Sequence, residues 1–304
     1  MSCKQTTMNQ EPLKPLEDQC CGQGCKTCVF DLYEQEMAIW RKSQSSQSDD
    51  EQAECSMTAD SYTECTLKSM QQIVVSDLVS VVKFQFELPK GTRLSFQAGQ
   101  HLVTREMDLV RPFTLISRPG QMLSQFQVLI KFYENGEMSR VIASRWKPGA
   151  MVQWRGPLGS INYEPNTLDS VLLIAAGTGI VPLYQLADRI VENEDDETRV
   201  TLLYACRTYD EILLRPELHR MQNYWNFKVR YFLSRCDRQQ ADSARKHNEE
   251  ISCNRITRED VEAQLSGCTP ASFRVYICGP RAFERHVIDW LKDSGIQQCQ
   301  IDTF

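Results

Sequence analysis

The chain has 304 residues, 41% of them hydrophobic and 24% charged, which is ordinary for soluble globular material and enough for two domains with separate cores. A net charge of −6 and a pI near 5.4 exclude the broad basic surface that nucleic acid requires. No stretch approaches the roughly 18–20 uninterrupted apolar residues that span a bilayer, because the nearest, 171–187, is broken by Gly177-Thr-Gly and Pro182.

The N-terminus lacks a charged-then-apolar leader, and Lys4 and Lys14 sit among Glu11, Glu17 and Asp18, so neither a secretory nor an Arg-rich mitochondrial leader is expected. Without such a leader the 13 cysteines read as reduced thiols rather than a disulfide framework. The expected location is intracellular and cytoplasmic, with mitochondrial association left open. Residues 1–19 are polar and aperiodic and read as a disordered tail.

A Cys-rich segment follows over 20–42. Cys20, Cys21, Cys25 and Cys28 are numerous enough for tetrahedral zinc, yet all four fall within nine residues, whereas two-knuckle sites separate their pairs. No metal is therefore assigned, and a reactive or partner-docking segment is expected. From Val29 to Trp40 the spacing predicts a helix, with Leu32, Glu36 and Ile39 near one another and Phe30, Tyr33, Met37 and Trp40 on an aromatic-rich face. The Ser- and Gln-rich run 43–52 opens a flexible linker over 43–65.

A period of two begins near Thr66. Ile73-Val-Val, 78–88, 101–103, 113–116, 126–133 and 151–154 are short β-rich runs broken by Pro89-Lys-Gly91 and Pro119-Gly120. Such spacing predicts a small antiparallel barrel over 66–164, interrupted by a helix from Gly136 to Trp146. After Glu164-Pro165 the pattern changes. Apolar strands at 171–176, 200–205, 229–233 and 274–278 alternate with helices at 181–192, 216–223, 258–265 and 282–293. Continuous apolar strands between helices predict a parallel sheet covered on both faces over 165–304. The run 236–250 reads as a charged surface connection.

Three blocks carry chemistry. Arg111-Pro112-Phe113-Thr114 combines a guanidinium that binds phosphate oxygens in a planar, bidentate way, an aromatic face and a hydroxyl. Residues 111 and 113 face opposite to 112 and 114 on a strand, so a twist or bulge is expected to bring both sets to one ligand. Gly136-Glu-Met138-Ser139 opens a helix whose unpaired N–H groups suit a pyrophosphate. Leu129, Lys131 and Tyr133 share one face of the strand before it. Farther on, Gly177-Thr178-Gly179 and Cys278-Gly279-Pro280 each end an apolar strand, where open α/β sheets bind nucleotides. The order of the blocks points to a flavin in the first domain and a nicotinamide nucleotide in the second.

From about residue 70 to Phe304 the sequence resembles the NADH–cytochrome b5 reductase group of the ferredoxin–NADP reductase superfamily, and 20–33 resembles a small oxidoreductase-like N-terminal module. The resemblance implies a six-stranded antiparallel FAD-binding barrel followed by a parallel-sheet nucleotide-binding domain. It also implies that Arg111, Phe113 and Thr114 contact FAD and that Met138 and Ser139 lie at its pyrophosphate. His101, Thr114 and Lys131 would form the polar cluster that tunes the isoalloxazine, while Thr178 and Cys278 would align the nicotinamide. Phe113 replaces the family's usual tyrosine, and Glu137 stands where lysine is common, which disfavours phosphate nearby.

Ser234-Arg235 stands where NADH-selective members carry an acidic residue. With Arg207, it could hold a 2′-phosphate, so NADPH is expected to be accepted beside NADH. The implied activity is electron transfer from NAD(P)H through FAD to cytochrome b5 or a similar haem protein. The alternatives are a diaphorase with a quinone or other small acceptor, and a weakly active, partner-docking flavoprotein.

Overall fold

A computed structural model describes residues 11–15, 29–45, 55–75, 80–161, 163–236, 248–265 and 272–304. The cysteine quartet at 20–28, most of the 1–19 tail and linker residues 46–54 lie outside them. The chain divides into two compact units, Met1–Ser160 and Ile161–Phe304.

The first unit contains α1 (Val29–Ser45), β1 (Cys55–Ser56), β2 (Thr63–Val75), β3 (Ser80–Glu87), β4 (Thr92–Arg93), β5 (His101–Glu106), β6 (Leu109–Thr114), β7 (Gln125–Phe132), α2 (Glu137–Arg145) and β8 (Met151–Leu158). Six strands pair antiparallel in the order β6-β5-β8-β2-β3-β7. A bridge between Leu115 and Val128 joins the two outer strands, so the sheet closes and hides its edges. Alternation places Phe84, Phe86, Phe126 and Trp154 inside, and the end of α2 adds Ile142 and Trp146. The rings meet edge-on, Phe84 with Trp146 at 5.2 Å and Phe86 with Trp154 at 5.1 Å between centroids, a geometry that matches ring edges to ring faces. Trp146 Nε1 donates to Glu106 Oε1 at 2.7 Å, which satisfies the only polar atom this indole brings inside.

The helix α1 is not a free appendage. It buries Leu32, Glu36 and Met37, and Glu36 is only 2% exposed. Arg155 on β8, 1% exposed, donates from Nε to Glu36 Oε1 at 2.8 Å, and the Tyr62 hydroxyl donates to the same oxygen at 2.8 Å. The remaining guanidinium nitrogens donate to the Ala59 carbonyl at 3.2 Å and to Gln35 Oε1 at 3.3 Å. A guanidinium so far from water is tolerated because a carboxylate and oriented dipoles replace its hydration.

The second unit contains β9 (Ser170–Ala176), α3 (Ile180–Val191), β10 (Arg199–Cys206), α4 (Arg215–Met221), β11 (Phe227–Leu233), β12 (Glu250–Ser252), α5 (Arg258–Leu265), β13 (Phe273–Cys278), α6 (Arg281–Asp293) and β14 (Ile301–Thr303). All strand pairs are parallel, in the order β12-β11-β10-β9-β13-β14. Leu172 and Ile174 join Val261 of α5 and Val287 and Leu291 of α6 in one core. The helix α3 packs on β9, β10 and β13 and is buried at almost every position, which explains its apolar composition on all sides. Strand order reverses about β9, between β10 and β13, and this is where doubly wound sheets open a crevice.

The expected fold class, an antiparallel six-stranded barrel followed by a parallel-sheet domain, is the one observed. Some details differ from expectation. The stretch 236–250, read as surface connection, ends in β12, and Cys236 is bonded to Cys253. Reduced thiols were expected; among the described residues Cys65, Cys206 and Cys278 are in no disulfide. Of the twist or bulge expected near 111–114, the β5–β6 pairing keeps register and so contains no bulge. The shift lies instead between β5 and β8, at His101 to Val103. No helix among the described residues is long and apolar enough to cross a membrane.

Arg155→Met leaves the Glu36 carboxylate sealed without its cation and is expected to lower unfolding free energy by about 3–5 kcal/mol. Pairing it with Glu36→Leu should restore most of that loss. Urea denaturation of both variants checks this, and equal losses in the single and double variants would contradict it.

Candidate functional site

On the barrel, β5 and β6 run side by side so that His101 faces Thr114 and Thr104 faces Arg111 across the pair. His101 packs against Gly159, where an added Cβ would stand 3.3 Å from the ring, and φ of +88° at that glycine is itself disfavoured for other residues. Burial, and secondarily the charge on Arg155, lowers the His101 pKa from 6.5 to about 4. The imidazole is therefore neutral at physiological pH, with one nitrogen to donate and one to accept.

The Lys131 ammonium on β7 sits 5.5 Å from the ring centroid of Tyr133, which is exposed. The structure thus brings His101 and Thr114 together and stations Lys131 on β7 beside Tyr133. Leu129, on the same strand, is buried. Phe113 is half-buried and leans on the barrel core, its ring 6.1 Å from that of Trp154.

Arg111 and its neighbour Pro112 are half-buried on β6. Nη1 of Arg111 donates to the Val110 carbonyl at 2.8 Å. Burial lowers this guanidinium below its ordinary value while Glu137 acts the other way, so an anion beside it would replace lost hydration. The helix α2 starts at Gly136 with no side-chain cap. Gly136, lacking a side chain, offers the helix's first N–H groups no capping oxygen. Ser139 Oγ accepts the Tyr133 N–H at 3.0 Å, which leaves the hydroxyl proton to donate. A Cβ on Gly136 would come 2.9 Å from that oxygen, so glycine keeps the cradle open. Met138 turns into the core. A guanidinium, an uncapped helix start and a serine hydroxyl make a donor set that fits a pyrophosphate.

In the second unit, Gly177-Thr178-Gly179 forms a short 3-10 turn between β9 and α3, and Cys278-Gly279-Pro280 leads from β13 into α6. These strands are neighbours, with Ala175 opposite Cys278. The turns touch through backbone: a Cβ on Gly179 would collide with the Cys278 carbonyl, and one on Gly279 would meet Phe283 at 2.8 Å and Ala176 at 2.9 Å. Gly177 has φ of +58°. Only residues without side chains let the loops approach this closely.

Two supports were not visible in the sequence. The Tyr204 hydroxyl donates to the Gly177 carbonyl at 3.1 Å and accepts the Leu213 N–H at 3.3 Å. Glu284 Oε1 accepts the Gly279 N–H at 3.0 Å. Burial pushes the Cys278 thiol well above its usual range, with Glu284 adding to the effect, so the sulfur remains protonated.

Arg207 and Ser234-Arg235 converge because β10 and β11 end together. The Ser234 N–H donates to the Cys206 carbonyl at 3.1 Å, and the Arg235 N–H donates to the Arg207 carbonyl at 2.7 Å. Ser234 and Arg235 are exposed. The backbone thus brings these three residues to one strand-end edge of the sheet. Among the described residues no cluster of His, Cys, Asp or Glu could hold a metal ion.

Comparison with known proteins agrees with this division. Residues 64–163 match the oxidoreductase FAD-binding domain, 173–289 the oxidoreductase NAD-binding domain and 6–49 the N-terminal part of the oxidoreductase-like proteins. Fold and domains define an NAD(P)H-dependent flavoprotein oxidoreductase with FAD and a nicotinamide dinucleotide as cofactors. The chain is 30% identical over 305 aligned positions to the Homo sapiens "NADH-cytochrome b5 reductase-like" protein, covering 96% of this chain and 93% of the human one. The Mus musculus protein of the same name is 31% identical, over 95% and 93%. The chain belongs to the NADH–cytochrome b5 reductase-like family. Among solved structures, the cytochrome b5 reductase domain of Ulva prolifera nitrate reductase shares the fold at 23% identity, with a TM-score of 0.65 over 82% of this chain and 99% of that one.

Folding with His101 neutral has a pH signature. Between pH 6.5 and about 4 the unfolded chain takes up a proton that the folded chain refuses, so stability is complete above 6.5 and declines as pH falls toward 4. His101→Asn is expected to flatten that part of the curve in urea midpoints measured across pH. An unchanged slope in the variant would show that the decline comes from other groups.

Proposed function

We propose that this oxidoreductase carries electrons from NADH or NADPH to cytochrome b5 or a similar one-electron haem protein. FAD, when bound, supplies the capacity to take a hydride from nicotinamide and release electrons one at a time. The chain's own residues bind, orient and insulate. On the barrel, Arg111, Ser139 and the free N–H groups at the start of α2 hold the pyrophosphate, with Gly136 and Met138 shaping that turn. Pro112, Phe113, Leu129 and Tyr133 line the flavin's path. Thr114 and neutral His101 offer hydrogen bonds at the ring's polar edge, with Lys131 contributing positive charge from β7.

In the nucleotide unit, Gly177, Thr178 and Gly179 with Cys278, Gly279 and Pro280 frame the nicotinamide end. A protonated Cys278 fills space and offers a weak donor there, without acting as a nucleophile. The hydride step requires no protein acid or base. The observation that supports this reading best is the presence in one chain of two matched cradles, the uncapped helix start beside Arg111 and the paired glycine turns at the reversal of strand order.

Stopped-flow reduction separates the acceptors. Cytochrome b5 is expected to be reduced faster than quinones at equal concentration, and the reverse order would make the protein a diaphorase with a small-molecule acceptor.

The convergence of Arg207, Ser234 and Arg235 favours use of NADPH. A 2′-phosphate would take charge-assisted bonds from both arginines and the Ser234 hydroxyl. Arg235→Asp should lower kcat/KM for NADPH by about tenfold or more while changing that for NADH little. A wild-type kcat/KM for NADPH about a thousandfold below that for NADH would overturn dual use.

A further inference from the structure

The outermost strand β12 has only three residues, Glu250–Ser252, and among the described residues it pairs with β11 alone. So short an edge strand is held weakly by its own backbone pairing. Two further contacts fix it, one at each end. Just ahead of it, Glu249 is fully buried and accepts from Arg215 at 2.8 and 2.9 Å and from the Tyr209 hydroxyl at 3.2 Å. Just beyond it, Cys253 is bonded to Cys236.

Both contacts lead to the same place. Tyr209 lies two residues past Arg207, and Cys236 follows Arg235 directly. The Arg235 N–H in turn donates to the Arg207 carbonyl at 2.7 Å. The ends of β12 therefore brace both arginines assigned above to a 2′-phosphate, one through an ion pair and the other through a covalent bond. The two braces differ in chemistry. The ion pair is indifferent to thiols, whereas a disulfide yields to them where they can reach it. Cys236 and Cys253 are half-buried, while Cys65 and Cys206 are buried.

We propose that Cys236 and Cys253 form a thiol–disulfide switch that sets the preference between NADPH and NADH. It rests on the reading of Arg207, Ser234 and Arg235 as the 2′-phosphate set. In the oxidised form the bond anchors Arg235 at the strand end, so its backbone is ordered before NADPH arrives. In the reduced form that ordering opposes binding of the 2′-phosphate, and NADH, which lacks the group, does not meet it. A low-molecular-weight thiol and its disulfide, such as glutathione, work the switch. To close it, one cysteine thiolate attacks oxidised glutathione, breaks that S–S bond and releases one glutathione. The second cysteine then displaces the other glutathione from the mixed disulfide. Two protein S–H bonds are lost, one S–S bond forms, and two protons and two electrons leave on two molecules of reduced glutathione.

The test equilibrates the full-length, FAD-loaded protein in reduced or oxidised glutathione, desalts it, and reads the bond by alkylation and mass. kcat/KM for each nucleotide is then measured with ferricyanide as acceptor. The NADPH-to-NADH ratio of kcat/KM is expected to be about fivefold or more higher in the oxidised form, with NADH itself changed by less than about twofold. Amide exchange at Ser234 and Arg235 should quicken on reduction. Cys253→Ser should show the reduced-form ratio in either buffer, its NADH turnover reporting that it is folded. NADPH used as well after the bond has opened as before would overturn the switch, and so would thiols that stay open to alkylation in oxidised glutathione. A protein that uses NADPH about a thousandfold less well than NADH in both forms fails differently, because it overturns the 2′-phosphate reading on which the switch rests.

Discussion

A guanidinium sealed between a β-barrel strand and a helix has to find a counter-charge, and Arg155 finds it on the helix. Glu36 reaches in from α1, and Tyr62, Gln35 and the Ala59 carbonyl complete the shell. Because β8 carries Arg155 and pairs with both β2 and β5, this ion pair fastens the N-terminal helix to the middle strands of the barrel sheet. Two consequences follow from that one contact. The positive charge contributes to keeping His101 neutral, which sets the hydrogen-bonding character of the residue opposite Thr114. The docked helix also walls a cavity beside Arg111. Buried ion pairs are weak sources of stability compared with apolar packing, so their value here lies in fixing one arrangement of helix and barrel.

The nucleotide unit is governed by a different constraint, the closeness of two backbone turns. Gly179 and Gly279 allow the loops after β9 and β13 to touch, and Tyr204 and Glu284 hold the Gly177 carbonyl and the Gly279 N–H in place. Turns that meet through backbone need side chains only as braces. Arg207, Ser234 and Arg235 meet at the ends of β10 and β11 through backbone hydrogen bonds, without disturbing the sheet. The second core, assembled from α5, α6 and alternate strand residues, needs none of those polar groups.

Much of this was legible in the sequence, and the exceptions have physical reasons. The long strands declared themselves by period two or by continuous apolar runs, and α5 spans the expected 258–265. Among the pieces that escaped, β1, β4, β12 and β14 have only two or three residues each, too few for any period to show, while β6 lies mostly ahead of the expected run 113–116. The helix α1 continues to Ser45, past the onset of the Ser- and Gln-rich run, because neither residue type breaks a helix already begun. Paired glycine turns could be located by their apolar strands. Their contact could not, since it depends on β9 and β13 being neighbours across about a hundred intervening residues. The Glu36–Arg155 pair is non-local in the same way. On a helix read alone, a glutamate among aromatic residues gives no sign of a buried arginine elsewhere.

The most direct measurement is anaerobic reduction of the purified full-length protein by NADH, followed in the flavin absorbance bands. The barrel and sheet described here predict a yellow protein with one FAD per chain that bleaches on addition of the nucleotide. A colourless protein that refuses reconstitution with FAD and shows no bleaching with NADH or NADPH would contradict it.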